Sequence, residues 1–410
     1  MIERNRRARF LCSGILATAL LGCSSSGQSA SDPSDASVLS DDGGTVDAAQ
    51  ASQNDAPSVQ DAGSPDDATS AAPAARIVGR TDRTTPAEPK FEWEGSAIEA
   101  TFTGTQVSVT LRGDDAATNY FAVFVDDAPQ PTLVVNGSQP TAYPLATGLG
   151  AGSHHVLLFR RDESFQSVTQ LVSFDFGSGG ALLASPAAPT RHIEVIGDSI
   201  SAGYGVECAN ANTGFTADTE NEYFAYGSIA ARDLNAEAHV IAWSGEGVYR
   251  NYDSDPADGG PVMPDYWLRT LPTVATSTWD FTQWTADAVV VNLGTNDFST
   301  TPPADIDTQY QSHYLAFIQK IHATYPNAHV FCALGPMLED PHLSEARTAI
   351  NAVIAAMQTS GFSAIELVEF PTQNCGATGS GCGCDSHPSK TTQQAMATKL
   401  ETAMKSALGW

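Results

Sequence analysis

The chain has 410 residues, seven cysteines and a formal net charge of −27 at pH 7. Its length exceeds that of an ordinary single domain, so we expect two folded units with additional segments. The negative charge argues against nucleic acid or anionic lipid headgroups as partners, because phosphate binding depends on clustered Lys and Arg. A neutral substrate such as a sugar polymer fits this composition better.

The first 23 residues have the pattern of an export signal. Four arginines between positions 4 and 9 precede an apolar run at 10–22, which is too short for a permanent transmembrane helix. Leu-Leu-Gly-Cys at 20–23 resembles a bacterial lipobox, in which Cys23 is lipidated and becomes the first mature residue. We expect an exported protein, lipid-anchored in the cell envelope at the outer membrane, on its periplasmic or surface side. An ordinary cleaved signal peptide is the alternative.

Residues 24–75 consist almost entirely of small and polar residues, with many Asp and no Lys or Arg. Such a segment buries too little apolar surface to offset the entropy lost on ordering. We therefore predict a disordered acidic linker. Contact with the membrane is expected only through the lipid anchor.

Residues 76–188 show strand periodicity. Apolar and polar residues alternate at 98–102 and 107–111, and further β-rich runs lie at 120–125 and 155–159. Gly, Asp, Asn and Pro separate these runs, and no helical period of useful length is present. This pattern predicts a small antiparallel β-sandwich of the jelly-roll type.

The periodicity changes in residues 189–410, where strand-like and helix-like runs alternate. The predicted strands are at 193–196, 238–242, 288–293, 328–334 and 364–369, and the predicted helices at 222–234, 306–325, 342–360 and after Pro388. This order predicts an α/β domain with a doubly wound, five-stranded parallel sheet and helices on both faces. Active sites of such sheets lie at the carboxyl ends of the strands.

Three motifs follow the first, third and fifth predicted strands. They are Gly-Asp-Ser at 197–199, Gly-Thr-Asn-Asp at 294–297 and Asp-Ser-His-Pro at 385–388. Together they supply a nucleophile, an amide donor and a base with a carboxylate, as acyl transfer requires. Each motif alone is typical of a turn, but their common position on one rim predicts a serine hydrolase. The site lacks the Gly-x-Ser-x-Gly elbow of α/β-hydrolases, because Ser201 occupies the second Gly position.

With Gly245, these motifs match the four sequence blocks of the SGNH (GDSL) hydrolase superfamily. With the preceding sandwich, residues 80–408 resemble the second family of carbohydrate esterases, which includes acetyl xylan and glucomannan esterases. The resemblance implies that Ser199 is the nucleophile. It further implies an oxyanion hole made by the N–H groups of Ser199 and Gly245 and the side-chain amide of Asn296.

The resemblance also implies that His387 is the general base and acid, with Asp385 as the orienting third member. Many superfamily members separate the Asp and His by three residues, whereas this family uses the present spacing and some members lack an effective Asp. The alternative for Asp385 is capping of the helix after Pro388, a role for which Ser389 competes.

Other polar and aromatic residues near these motifs have two interpretations each. The resemblance gives Asp198 and Asp297 structural roles, as hydrogen-bond acceptors within their turns, rather than those of a glycosidase carboxylate pair. Tyr252 and Trp243 are candidates for stacking on a sugar ring. The alternative for these two aromatic residues is packing in the core.

Five cysteines lie beyond the export signal: Cys208, Cys332, Cys375, Cys382 and Cys384. Export makes disulfides the expected state, and the odd number leaves a thiol unpaired, for which Cys332 in a predicted strand is the best candidate. A bridge between Cys208 and Cys384 would brace the site, although connectivity does not follow from sequence. A metal site at Cys382, Cys384 and His387 is disfavoured, because this spacing is too tight for a usual zinc knuckle.

We therefore expect a monomeric acetylesterase that deacetylates O-acetylated polysaccharides, such as xylan or glucomannan, through an acetyl-serine intermediate. No metal or organic cofactor is implied. One alternative is an SGNH lipase, thioesterase or peptidoglycan O-acetylesterase. The alternative of another class is a non-catalytic cell-surface glycan-binding protein.

Overall fold

The structure, a computed structural model, describes residues 74–114, 118–376 and 381–410. The predicted signal, the lipidation site at Cys23 and nearly all of the predicted linker lie outside these described residues. Within these ranges, no helix combines the length and apolar character needed to cross a membrane.

The first domain consists of two antiparallel sheets, which confirms the predicted sandwich. One sheet has the order β1-β4-β9-β6-β7 with β11 beside β4, and the other has the order β2-β3-β10-β5-β8. The strands are β1 (Arg76–Val78), β2 (Thr81–Asp82), β3 (Lys90–Phe91), β4 (Ala97–Thr103), β5 (Gln106–Arg112), β6 (Thr118–Val125), β7 (Ala128–Asn136), β8 (Thr141–Thr147), β9 (Ser153–Arg160), β10 (Thr169–Asp175) and β11 (Ala181–Leu182).

The alternating residues of the sandwich form its core because successive side chains of a strand point to opposite faces. In β4, Ile98, Ala100 and Phe102 are fully buried. In β5, Val109 and Leu111 are fully buried as well and belong to the same hydrophobic cluster. The alternating apolar pattern therefore identified the inner faces of both sheets.

The second domain has a five-stranded parallel sheet with the order β13-β12-β14-β15-β16, as predicted. Helices α4 and α5 pack on one face of the sheet, and α2 and α6 pack on the other. The elements are β12 (Arg191–Gly197), α1 (Ser199–Ala202), α2 (Tyr226–Asp233), β13 (Ala236–Ala242), α3 (Met263–Tyr266), β14 (Ala288–Asn292), α4 (Ile306–Thr324), β15 (His329–Leu334), α5 (His342–Thr359), β16 (Ile365–Glu369) and α6 (Lys390–Leu408).

The predicted helix at 222–234 is wrong in its first turn. Glu222–Phe224 forms a separate 3-10 turn, and Ala225 is extended, with φ −76° and ψ 152°. Helix α2 begins only at Tyr226, whose N–H donates to the Gln393 side chain of α6 at 2.8 Å. This tertiary contact supplies the acceptor that a longer helix would have supplied from its own backbone.

The two domains are joined by buried polar contacts. Arg80, in the turn after β1, is fully buried and forms an ion pair with Glu194 of β12 at 2.8 Å. The same guanidinium donates to the carbonyl oxygens of Trp267 and Arg269. The Glu92 carboxylate of the sandwich accepts hydrogen bonds from the N–H and hydroxyl of Thr273. The sandwich is therefore tied to the core of the second domain.

Two disulfides are present among the described residues, Cys208–Cys384 and Cys375–Cys382. Cys332 is buried and unpaired, as expected from its position in a strand. The first bridge connects the loop after α1 with the loop that carries His387. Because the sulfurs of Cys382 and Cys384 are both bonded to other sulfurs, they are not available as metal ligands.

Candidate active site

Ser199 lies at the carboxyl end of β12, where the chain turns directly into the short helix α1. The side chain of Asp198 caps this helix by accepting the N–H of Ile200 at 3.0 Å. Gly197 is required at the turn, because a Cβ at that position would lie 2.0 Å from the Ser201 hydroxyl oxygen. The sharp turn presents the Ser199 hydroxyl at the rim of the sheet.

His387 is in hydrogen-bonding contact with Ser199. Its Nε2 lies 2.8 Å from the Ser199 Oγ. The Tyr204 ring packs against the imidazole with 4.2 Å between ring centroids, and the Phe215 ring stacks behind Tyr204 at 4.0 Å. Burial lowers the pKa of His387 to about 4, opposed by the backbone and charge of Asp385. The imidazole is therefore neutral at pH 7 and able to accept the Ser199 proton.

Asp385 lies near His387, but its carboxylate is hydrogen-bonded to other groups and not to the imidazole ring. The Asp385 Oδ2 accepts the Tyr204 hydroxyl at 3.0 Å and the Phe215 N–H at 3.2 Å. The Nδ1 of His387 has no hydrogen-bond partner among the described residues. Helix α6 is capped by Ser389 rather than by Asp385. In this structure Asp385 acts on the imidazole through its charge and through the Tyr204 ring, and its role as third member stays a prediction.

The three predicted oxyanion donors lie in loops that Asn296 joins by hydrogen bonds to Glu246 and Asp198, the neighbours of Gly245 and Ser199 in the chain. Gly245 has φ +84° in the turn after β13, and its carbonyl accepts the Tyr252 N–H at 2.7 Å. Neither the Gly245 N–H nor the Ser199 N–H donates to another described residue. The Asn296 Nδ2 donates to the Glu246 carbonyl at 2.8 Å and to Asp198 Oδ2 at 3.3 Å. An oxyanion that accepts from the Asn296 amide would share or replace one of these two bonds.

The loop that carries Asn296 is locked to the loop that carries Gly245. The buried Asp297 carboxylate accepts the N–H groups of Val248, Tyr249 and Arg250. The Arg250 guanidinium donates in return to the carbonyls of Asp297 and Ser299, at 3.1 and 2.8 Å. Asp198 therefore accepts within its own turn, as expected, whereas Asp297 has a structural role that links two loops rather than one within its own turn.

The bracing role of Arg250 does not follow from the sequence pattern. Its main partners are backbone carbonyls, and no sequence pattern reveals such acceptors. The only available signal was an arginine close to Gly245 in an acidic chain.

A cleft of about 390 Å³ opens above Ser199 and His387. Its walls also contain Tyr252, Thr295, Asn296, Phe298, Ser299, Met337, Leu338, Glu339, Asp340 and His342. Tyr252 is 46% exposed and therefore accessible to a ligand. Trp243 does not line this cleft. Its ring packs on Tyr266 at 4.6 Å and on the core, which favours the scaffold interpretation.

A Ser–His pair at the carboxyl rim of a parallel sheet, beside uncommitted N–H groups and an Asn amide, is the arrangement of a GDSL-type hydrolase. The model of the GDSL-like Lipase/Acylhydrolase family matches residues 195–395, and the model of the Carbohydrate esterase 2 N-terminal domain matches residues 77–186. The chain belongs to carbohydrate esterase family 2 and is an esterase of the GDSL (SGNH) type.

Relatives of known structure or activity agree with this assignment. The structure of a family two carbohydrate esterase from Clostridium thermocellum in complex with cellohexaose is 41% identical, with a TM-score of 0.77, and the match covers 82% of this chain and 100% of that chain. Cellulase/esterase CelE of Acetivibrio thermocellus is 42% identical over 332 residues, which cover 81% of this chain but only 39% of CelE. An acetylxylan esterase / glucomannan deacetylase of Cellvibrio japonicus is 26% identical, with coverage of 82% and 90%.

Proposed function

We propose that this esterase uses Ser199 to remove acetyl groups from the hydroxyls of polysaccharides such as xylan or glucomannan. The observation that carries the proposal is the 2.8 Å contact between Ser199 Oγ and His387 Nε2 beside three potential oxyanion donors. The relative bound to cellohexaose and the relatives named acetylxylan esterase / glucomannan deacetylase support a glycan substrate.

In the first half of the proposed reaction, Ser199 Oγ attacks the acetyl carbonyl carbon while His387 Nε2 takes the hydroxyl proton. The resulting oxyanion accepts hydrogen bonds from the Ser199 and Gly245 N–H groups and from Asn296. When the tetrahedral intermediate collapses, the bond to the sugar oxygen breaks and His387 gives that oxygen the proton. The products are the free sugar hydroxyl and acetyl-Ser199.

In the second half, a water molecule attacks the acetyl group while His387 accepts one of its protons. Collapse breaks the bond to Ser199 Oγ, which regains a proton from His387, and acetic acid leaves and loses its proton to water as acetate. The same donors stabilise both oxyanions. The cleft volume suits a short acyl group with part of a sugar, and the exposed Tyr252 ring is the candidate surface for stacking on that sugar.

Acid release by the full chain tests this proposal, measured as acetate from acetylated xylan and acetylated glucomannan and as fatty acid from a long-chain lipid ester. We expect acetate from the glycans and none when Ser199 is replaced by alanine. Turnover of the lipid ester alone would support an SGNH lipase instead. Glycan binding that persists in an inactive wild-type protein would support the non-catalytic alternative.

The pH profile follows from the buried imidazole. His387 must be neutral to act as a base, and burial lowers its pKa to about 4 from an ordinary value near 6.5. We therefore expect kcat/KM to stay constant as pH falls through 6.5 and to be half-lost near pH 4. Stopped assays of acetate release between pH 3 and 8 measure the acidic side of this pH profile, and circular dichroism verifies that the protein stays folded. A midpoint near 6.5 would contradict the predicted environment of the ring.

Replacing Asp385 with asparagine is expected to lower kcat by about 10- to 100-fold. Asn retains an oxygen that can accept from Tyr204 and Phe215, but it removes the charge that stabilises protonated His387. Losing a directly bonded triad Asp typically costs about 10⁴-fold, so a loss of that size would show that the carboxylate binds Nδ1 during turnover. Tyr204→Phe is the matched control, because it deletes the hydroxyl but keeps the ring packed on the imidazole.

We also propose that the protein is exported and lipidated at Cys23, a residue outside the described ranges. The two disulfides support an oxidising compartment. Labelling of growing cells with radioactive palmitate should mark the wild-type chain and not a Cys23→Ala variant. Equal labelling of both chains would reject lipidation at this residue.

A further inference from the structure

The turn that carries Gly245 is held from outside its own domain. Strand β13, which leads into this turn, is an outer strand of the parallel sheet and, among the described strands, pairs only with β12. The N–H groups on its other edge therefore lack a strand partner, and buried N–H groups need an acceptor. At the carboxyl end of β13 and just beyond it, the β-sandwich supplies such acceptors as carboxylates.

Two sandwich residues bind alternate positions of the segment that precedes Gly245. Glu94 accepts the Ala242 N–H at 2.7 Å. Glu163 accepts both the N–H and the hydroxyl of Ser244. Trp243, between them, donates from the opposite edge to the carbonyl of Gly197 at 3.3 Å. The segment is thus held on one side by the sandwich and on the other by the turn of the nucleophile.

Glu163 is itself held firmly. It is fully buried, its N–H donates to Glu220 Oε2 at 3.1 Å, and its carbonyl accepts from the Arg160 guanidinium at 3.1 Å. Burying a carboxyl group is costly unless its hydrogen bonds are made, and those of Glu163 are made to Ser244 and to the neighbouring carboxyl group of Glu220. Because the backbone of Glu163 is fixed on both sides, its carboxyl group can hold Ser244 in a constant position.

We propose that Glu163, supported by Glu94, is a positioning residue for ester hydrolysis that fixes the Gly245 N–H in the oxyanion hole. The inference rests on the proposed function of Ser199 and Gly245. Oxyanion donors act only when they lie about 2.7–3.1 Å from the developing charge. A displacement of about 1 Å costs about 100-fold in rate. The β-sandwich thereby becomes part of the catalytic geometry as well as a neighbouring domain.

A second sandwich carboxylate provides a matched control. Glu92 is 1% exposed and accepts the N–H and hydroxyl of Thr273, as Glu163 does with Ser244. Thr273 does not line the cleft. Loss of either carboxylate should therefore weaken the junction similarly, and only loss of Glu163 should disturb the oxyanion hole.

The test compares Glu163→Met with Glu92→Met in the full chain, using 4-nitrophenyl acetate as substrate. Met preserves the length of the side chain and removes both acceptor oxygens. We expect kcat of Glu163→Met to fall about 10- to 100-fold with KM little changed, and kcat of Glu92→Met to stay within about twofold of wild type. The melting temperature should decrease by a similar amount in both variants. Equal kcat values in the two variants would overturn the proposal.

Ser244→Ala provides a milder variant in case Glu163→Met does not fold. It removes the hydroxyl donor and keeps the N–H bond to Glu163, so we expect a smaller loss in kcat, about threefold; an unchanged kcat would overturn the proposal. Turnover lost in Ser199→Ala tests the proposed function separately. A wild-type chain without Ser199-dependent turnover would reject both the proposed function and the positioning role. An active enzyme whose kcat is unchanged in Glu163→Met would reject only the positioning role.

Discussion

Alanine at Ser199 or at His387 is expected to lower kcat for acetyl ester hydrolysis by about 10⁴- to 10⁶-fold, and the double variant should lose no more than either single one. The two side chains share one hydrogen bond of 2.8 Å and act in the same proton transfer. Removing one therefore removes the contribution of the other. Single-turnover and steady-state measurements on all three variants give this comparison.

Ser201→Ala is the matched control for this experiment. Ser201 also lies in α1, but its hydroxyl is bound to the buried Tyr226 hydroxyl at 2.9 Å, away from the cleft. We expect it to keep kcat within a few-fold of wild type while losing about 1 kcal/mol of stability. Losses that add in the double variant would instead mean that Ser199 and His387 do not work as a pair.

The largest expected effect on stability comes from Arg80. Replacing it with alanine should lower the free energy of unfolding by about 3–5 kcal/mol, because it leaves the buried Glu194 carboxylate without its cation. Both side chains of this ion pair have zero exposure. The Trp267 indole and the Tyr325 hydroxyl still donate to Glu194 and offset only part of that loss. Urea unfolding monitored by fluorescence measures the change.

Arg112→Ala is the control for the Arg80 experiment. Arg112 pairs with Glu88 within the sandwich, and the two side chains are 36% and 38% exposed. Because solvent screens such a pair, its loss should cost no more than about 1 kcal/mol. Similar losses for Arg80→Ala and Arg112→Ala would show that the buried pair does not hold the domains together.

The fold could be predicted because the spacing of apolar residues along the chain shows directly which side chains are buried. The alternation in β4 and β5 identified the sandwich, and the apolar runs of the parallel strands were located to within two residues of β12 to β16. The error at 222–234 arose where a tertiary contact, from the Tyr226 N–H to the Gln393 side chain, makes the helix begin later than predicted. Such a contact leaves no trace in a local pattern.

The site was predictable to the extent that single residues carry its chemistry. Ser199, Asn296 and His387 follow strand ends, so topology alone brings them to one rim. The partners of Asp385 could not be inferred in the same way, because its left-handed backbone, with φ +46°, turns the carboxylate toward Tyr204. The contact of Glu163 with Ser244 could not be inferred from the sequence either, because it joins residues 81 positions apart in different domains.

The outer position of β13 bears on more than the geometry of the site. A row of unpaired backbone groups on an open strand is a template for pairing with other copies of a chain. Here Arg76 binds Glu237 of that strand, and Glu94 occupies the N–H of Ala242. A hydrolase domain separated from its sandwich would expose this row and become prone to aggregation. We therefore expect the sandwich to limit aggregation of the full chain.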